Sequence, residues 1–168
     1  MQNIKDILFN GKKLNKIKST EILEIYKIYL SSIEKTAERR QNANSFFMTL
    51  NTGVLAIIGF IFNKDVSPDL KPLYLILPIA GILSSFFWLK LVTSYRQLNK
   101  GKFEILSLIE EKLSLAVYKA EWIELGEGKD KKKYHQITSL EKWIPILFII
   151  LYGILLIYFI YLFILTIR

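Results

Sequence analysis

Three long apolar runs constrain this chain more than anything else in it: Phe46–Phe62, Leu73–Val92 and Trp143–Ile167. About 18 helical residues at about 1.5 Å each reach roughly 27 Å, the thickness of a bilayer's hydrocarbon. Each run is therefore a membrane span, and the predicted fold class is all-α with three transmembrane helices. The charged first 45 residues lack the short apolar stretch and small-residue cleavage site of a secretory signal, so the spans are expected to persist. With 168 residues and about 60 of them in lipid, no room is left for a large soluble enzyme domain.

Helical periodicity extends beyond two of the spans. Ile22, Tyr26, Tyr29, Ile33, Ala37, Arg40, Asn44, Phe47 and Asn51 recur every three or four residues, a stripe with period near 3.5. One helix is predicted over 19–62, with Ser19 or Thr20 as its cap and Glu21 and Glu24 near its positive end. A second continuous helix is predicted over 73–113, with the stripe Trp88, Leu91, Tyr95, Leu98, Lys102, Ile105 or Leu106, Ile109 and Leu113. Asp65, Ser67, Pro68, Asp69 and Pro72 make 63–72 a turn-rich exterior loop. Residues 114–142 read as a short helix around Leu115 to Leu125, with Tyr118 and Trp122 on one face, and then a lysine-rich loop. Residues 143–168 form the third span. The basic segment 1–18 includes a small surface helix around Ile4, Ile7 and Leu8.

Basic residues set the expected orientation. Lys5, Lys12, Lys13, Lys16, Lys18, Lys27, Lys35, Arg39 and Arg40 precede the first span, and ten more lie between the second and third. The first exterior loop holds only Lys64 and Lys71, and the C-terminus only Arg168. The N-terminus and residues 95–142 are therefore expected in the cytoplasm and the C-terminus outside. A net charge of +8 fits attraction to anionic headgroups, with a nucleic-acid or other anionic partner as the alternative. The absence of cysteine excludes disulfides, thiolate metal sites and cysteine nucleophiles.

Catalytic constellations are missing. His135 is the one histidine and sits among lysines, so no histidine metal site or Ser-His relay assembles within one chain. Glu34 and Glu38 are expected to form a surface ion-pair network with Lys35 and Arg39. Gly126-Glu127-Gly128 lacks the further glycines and preceding strand of a nucleotide fingerprint. No catalytic residue, metal or cofactor is predicted. Lys131 to Lys133 have the charge for a lipid-headgroup or phosphate clamp, and a plain linker explains the same residues; Gly11-Lys12-Lys13 has the same two readings.

The polar positions of the first span carry most of the functional signal. In a ring of identical chains, Asn44, Met48, Asn51, Thr52 and Leu55 would line a pore, with Arg40 at its mouth and Gln41 beside it. The alternative is that Asn44 and Asn51 bond between helices and only fix packing. The third span, rich in branched and aromatic residues including Phe148, Tyr152, Tyr158, Phe159, Tyr161 and Phe163, reads as a lipid-facing outer helix, long enough to tilt. The first span is then the inner helix and the second the middle one. Arg39, Arg40, Arg96 and Lys100 are candidates for an anionic ligand because they flank the membrane on helices.

Ordered blocks across Tyr26 to Trp122 carry a family resemblance. They include Tyr26-Lys27-x-Tyr29, Glu34-Lys35-x-x-Glu38-Arg39-Arg40-Gln41-x-Ala43-Asn44-x-Phe46-Phe47-x-x-Leu50-Asn51-Thr52, Trp88-x-x-Leu91-x-x-Ser94-Tyr95-Arg96-x-Leu98-Asn99-x-x-Lys102-Phe103, and Tyr118-x-x-Glu121-Trp122. The chain resembles the RipA family of bacterial octameric cytoplasmic-membrane proteins. The resemblance implies a homo-octamer in a bacterial inner membrane and transfers no catalytic residue. It also implies kinship with small membrane partners of antiviral systems. The leading expectation is an oligomeric membrane effector or ion channel, controlled from its basic cytoplasmic part by a nucleotide or oligonucleotide, or by a regulatory protein partner. The alternative is a non-catalytic membrane scaffold that organises envelope proteins. A third reading, a subunit-shared enzyme acting on lipids, would draw on Glu34 or Glu121.

Overall fold

The computed structural model describes residues 4–9, 18–62, 71–129 and 141–167. These residues form α1 (Ile4–Leu8), α2 (Ser19–Phe62), α3 (Leu73–Glu110), α4 (Val117–Glu124) and α5 (Trp143–Ile167), with a 3-10 turn at Gly126–Gly128. Among the described residues there is no strand, and α2, α3 and α5 are each long and apolar enough to cross a membrane. The chain divides into two compact units, each built from parts of α2 and α3.

The first unit comprises Met1–Glu38 and Gln97–Gln136. Its α2 and α3 segments bury Ile33, Thr36, Leu106, Ile109 and Glu110. Lys102 reaches across to α2, donating to the Ser32 carbonyl at 2.9 Å, Ser32 Oγ at 2.6 Å and Thr36 Oγ1 at 2.9 Å. All three ammonium protons are thereby used on neutral oxygens, an arrangement that holds a charged group between helices without a carboxylate.

Helix α3 stops at Glu110 rather than at the expected residue 113. Lys112 and Leu113 close tight turns onto the carbonyls of Ile109 and Glu110, and the chain doubles back. Glu110, 1% exposed, then accepts from the backbone N–H of Tyr118 and Lys119, both at 3.0 Å. Those are free donors of the first turn of α4, so a side chain from the end of one helix caps the start of the next. Tyr26 Oη also donates to Glu110, at 3.0 Å. Burial, this hydrogen bond and the nearby negative charge push the Tyr26 hydroxyl up to about 12. At the other end of α4, Gly126 takes a positive φ of 71°, the left-handed position that commonly ends a helix.

The surface of this unit corrects one expectation. Glu34, Lys35, Glu38 and Arg39 form no ion-pair network, because no salt bridge joins these four exposed side chains. The ion pairs present here include Lys5 with Glu111 at 2.8 Å and Lys119 with Glu111 at 3.7 Å. Lys5, bonding and attracting it, holds the Glu111 carboxyl below the usual range.

The second unit comprises Arg39–Arg96 and Ile137–Arg168 and contains the three spans. Ile58, Tyr152 and Phe159 form its buried apolar cluster, packed by Val54, Leu77, Ile82 and Phe148 among others. Tyr74 Oη donates to the Ile61 carbonyl at 3.2 Å, covering an acceptor in the last turn of α2 that the helix itself leaves unpaired. The third span is not purely an outer helix. Leu147, Ile150, Ile154 and Ile157 are exposed for lipid, whereas Tyr152 is 0% exposed. Residues 63–70 of the expected exterior loop, Gly11-Lys12-Lys13, Lys131 to Lys133 and His135 lie outside the described residues.

Candidate functional site

A polar junction inside the membrane unit ties all three spans together at Asn51. The side chain is completely buried, and its amide donates backward to the Phe47 carbonyl at 2.8 Å. It accepts from Ser85 Oγ at 3.0 Å and lies 3.4 Å from Ser84 Oγ. The Asn51 carbonyl in turn accepts from Tyr152 Oη at 2.8 Å. A buried amide is tolerated in hydrocarbon only when its donors and acceptors find such partners. Asn51 therefore faces the inside of the protomer, and its amide is not presented to a pore.

Two turns earlier, Asn44 Oδ1 accepts from the indole Nε1 of Trp88 at 2.8 Å. Trp88 is 1% exposed, stacks on Phe47 with centroids 5.9 Å apart and packs against Phe148 at 6.1 Å. Of the two open readings of the asparagines, interhelical bonding is thus the one their geometry displays. The signal was present in the sequence as serines and a tryptophan facing the asparagine stripe, but spacing within one helix does not say which neighbour an amide meets.

Beside Trp88 lies a cavity of about 190 Å³ lined by Asn44, Ser45, Met48, Trp88, Glu141 and Ile144. It is smaller than the few hundred Å³ typical of pockets for drug-sized ligands, too small to enclose a nucleotide. Glu141 stands 3.7 Å from Arg40 Nε, an ion pair longer than a hydrogen bond. Glu141 Oε2 is buried without a hydrogen bond among the described residues.

What α2 leaves uncovered grades from small and polar residues to large apolar ones, with Asn42, Gly53 and Phe60 exposed between the two. Gln41, Ser45, Met48, Thr49, Thr52, Ala56 and Gly59 are exposed and, at 3.6 residues per turn, occupy roughly a third of the circumference. Except for Gln41 and Met48 they are small or hydroxylated. Phe46, Leu50 and Ile57 occupy another exposed sector, at 60%, 40% and 50%. Of the pore candidates, Thr52 and Met48 lie on the first sector, Leu55 is half-buried between it and the core, and Asn44 and Asn51 belong to the interior.

The basic candidates differ in their surroundings. Arg39 is exposed and in no ion pair among the described residues, Arg40 faces Glu141, and Arg96 is exposed. Lys100 belongs to the other unit and pairs with Glu104 at 3.9 Å, one helical turn on. Two of the four thus already have a carboxylate partner.

A family model described as the octameric membrane protein family matches residues 23–161, from the first unit through most of the third span. The chain belongs to this family, 8xMP. No curated protein and no solved structure gives a significant match. The match extends over most of α2, all of α3 and α4, and most of α5, so the Asn51 junction and the uncovered face of α2 both lie within the shared region. As an 8xMP protein the chain is a membrane protein whose family assembles as octamers, and a face left bare in one protomer has other copies to meet.

Proposed function

We propose that this chain acts as a non-enzymatic, ring-shaped membrane effector, with an ion path along the axis of eight copies. The observation that carries the proposal is the uncovered face of the first span. A lipid-facing helix has no use for Ser45, Thr49 and Thr52 side by side with Ala56 and Gly59, whereas a helix at a ring axis or subunit seam uses hydroxyls for water and small residues for close approach. Phe46, Leu50 and Ile57 then face lipid or a neighbour. The basic-residue bias supports an orientation with the N-terminus and residues 95–142 inside and the C-terminus outside, and the family resemblance supports a bacterial cytoplasmic membrane. A regulating anion, such as a nucleotide or oligonucleotide in an antiviral response, would be received on that basic side, with Arg39 as its first point of contact.

The test is single-channel recording from the purified oligomer in planar bilayers, with and without cyclic and linear oligonucleotides. Thr52→Phe should cut the conductance several-fold with the octamer intact, and Leu50→Phe should leave it unchanged. Equal conductance in the wild type and Thr52→Phe would move the path away from this face.

A scaffold that organises envelope proteins is the second reading. It is favoured by the commitment of Asn44 and Asn51 to bonds inside the protomer, which leaves the span with fewer polar groups for ions. An octamer that never conducts under any of these conditions would decide for it.

A further inference from the structure

We propose that in the first unit neighbouring copies join head to tail, the Ile25 and Ile28 side of α2 in one copy docking on the outward side of α4 in the next. The inference rests on membership in an octameric membrane family and is independent of whether the assembly conducts ions.

Symmetry limits the kinds of contact available. Copies inserted by the same charge bias all point the same way across the bilayer, so no two-fold axis can lie in the membrane plane. Eight such copies close only around an axis along the membrane normal, and adjacent copies in that ring meet through two different faces. A single self-complementary patch does not close it.

The first unit carries two such faces. Ile25 and Ile28 are 48% and 72% exposed on α2. Ile28 lies two residues beyond Tyr26, hence on nearly the opposite side of the helix from the hydroxyl that reaches Glu110. Helix α4 buries none of its eight residues, and Val117 and Ile123 stay 59% and 57% exposed. Ile123 likewise turns away from Tyr118, which meets Phe103 at 6.3 Å. An eight-residue helix is far too short to persist on its own propensity. Capping by Glu110 starts it, and an apolar neighbour would complete it.

Height and charge both fit. A rotation about the membrane normal preserves height, so the two faces must lie at one level. Tyr26, next to Ile25, and the first turn of α4 are bound to the same Glu110 carboxylate, which puts them there. Lys35, two turns from Ile28 on the same side of α2, and Glu121, one turn from Val117 on α4, have no ion-pair partner among the described residues. They supply opposite charges at the rim of an apolar contact.

The absence of native cysteine permits a clean test in membranes under mild oxidation. Chains carrying both Ile28→Cys and Ile123→Cys should give a ladder of bands at multiples of 19.6 kDa, up to eight, that collapses on reduction. Either single variant alone should remain monomeric on the gel, and the two singles co-expressed should give dimers only. Lys35→Glu should weaken the octamer in size-exclusion chromatography, and adding Glu121→Lys should restore it. Dimers from a single-cysteine variant would overturn the proposal by showing identical faces in contact. So would monomers from both this pair and Ile25→Cys with Val117→Cys in protein that still elutes as an octamer, and that result would turn these faces toward lipid or a second protein.

Discussion

Gly81 permits the close approach of the second and third spans, and replacing it by alanine tests the geometry of the membrane core directly. An added Cβ would lie 2.6 Å from Cε1 of Tyr152, and nearer still to Cε2 and Cζ. Carbon atoms in contact sit about 3.5–4.0 Å apart, so the ring would have to withdraw by about 1 Å or more. It has nowhere easy to go: Tyr152 is 0% exposed and packs against Phe148 at 6.3 Å. Such a withdrawal also stretches the 2.8 Å bond from Tyr152 Oη to the Asn51 carbonyl beyond hydrogen-bonding distance. Overpacking costs about 1–3 kcal/mol, and an interhelical bond in a membrane is worth about 0.6–1.7 kcal/mol. Alanine's better helix propensity returns about 0.5–1 kcal/mol. The net expectation is a loss of about 1–4 kcal/mol. Gly101→Ala is the opposite control. It sits in α3 with nothing within 4 Å of the added methyl, and should gain about 0.5–1 kcal/mol from propensity alone.

Detergent-titrated unfolding, followed by tryptophan fluorescence with Trp88 as the buried one of three reporters, measures both variants. The decisive comparison is a double-mutant cycle with Tyr152→Ala, which by itself empties the site of a ring and should cost about 3 kcal/mol or more. Once the ring is gone the three atoms nearest the methyl added by Gly81→Ala are gone with it, so the double variant should be no less stable than Tyr152→Ala. Strict additivity of the two losses would refute the proposed contact, because residues that do not touch add independently.

Two further outcomes concern the first unit. Glu110→Ala removes the acceptor shared by Tyr118 N–H, Lys119 N–H and Tyr26 Oη, and should destabilise the start of α4 by about 1–3 kcal/mol; hydrogen exchange at the Tyr118 and Lys119 amides should accelerate, and unchanged protection would mean that α4 is held by something else. Because the fold raises Tyr26 from its ordinary 10.0 to about 12, its contribution to stability is complete below pH 10 and is lost as pH climbs toward 12. The difference in tyrosinate absorbance between wild type and Tyr26→Phe should show one late-titrating group, and a midpoint near 10 would contradict the bond to Glu110.

The three-span helical fold was legible because its cause is local: lipid thickness and helical rise fix span length, and a run such as Trp143–Ile167 meets that requirement without reference to the rest of the chain. The inward stripe of α2 was legible for the same reason, and Ile33 and Asn51 on it are buried. What spacing could not supply was the identity of the partner across the gap. The Ser85 hydroxyl and the Tyr152 phenol decide that Asn51 is a junction and not a pore ring, and they stand 34 and 101 residues away in sequence. The end of α3 was missed on similar grounds, since Glu110 leaves its own helix pattern to serve the first turn of another.

The placement of polar groups in α2 also changes which substitutions can report on a pore. Asn51→Leu, the obvious choice from sequence, would take the acceptor from Ser85 Oγ and disturb the contact among all three spans, so a silent channel would follow equally from a blocked path and from a loosened protomer. Thr52 is the next residue, yet its exposed side chain is turned about 100° away around the helix. A bulky group there can narrow an axis without touching the Asn51, Ser85 and Tyr152 junction. Loss of conductance at position 52 with unfolding unchanged, set against loss of stability at position 51, would separate the face that meets other copies from the face that holds one copy together.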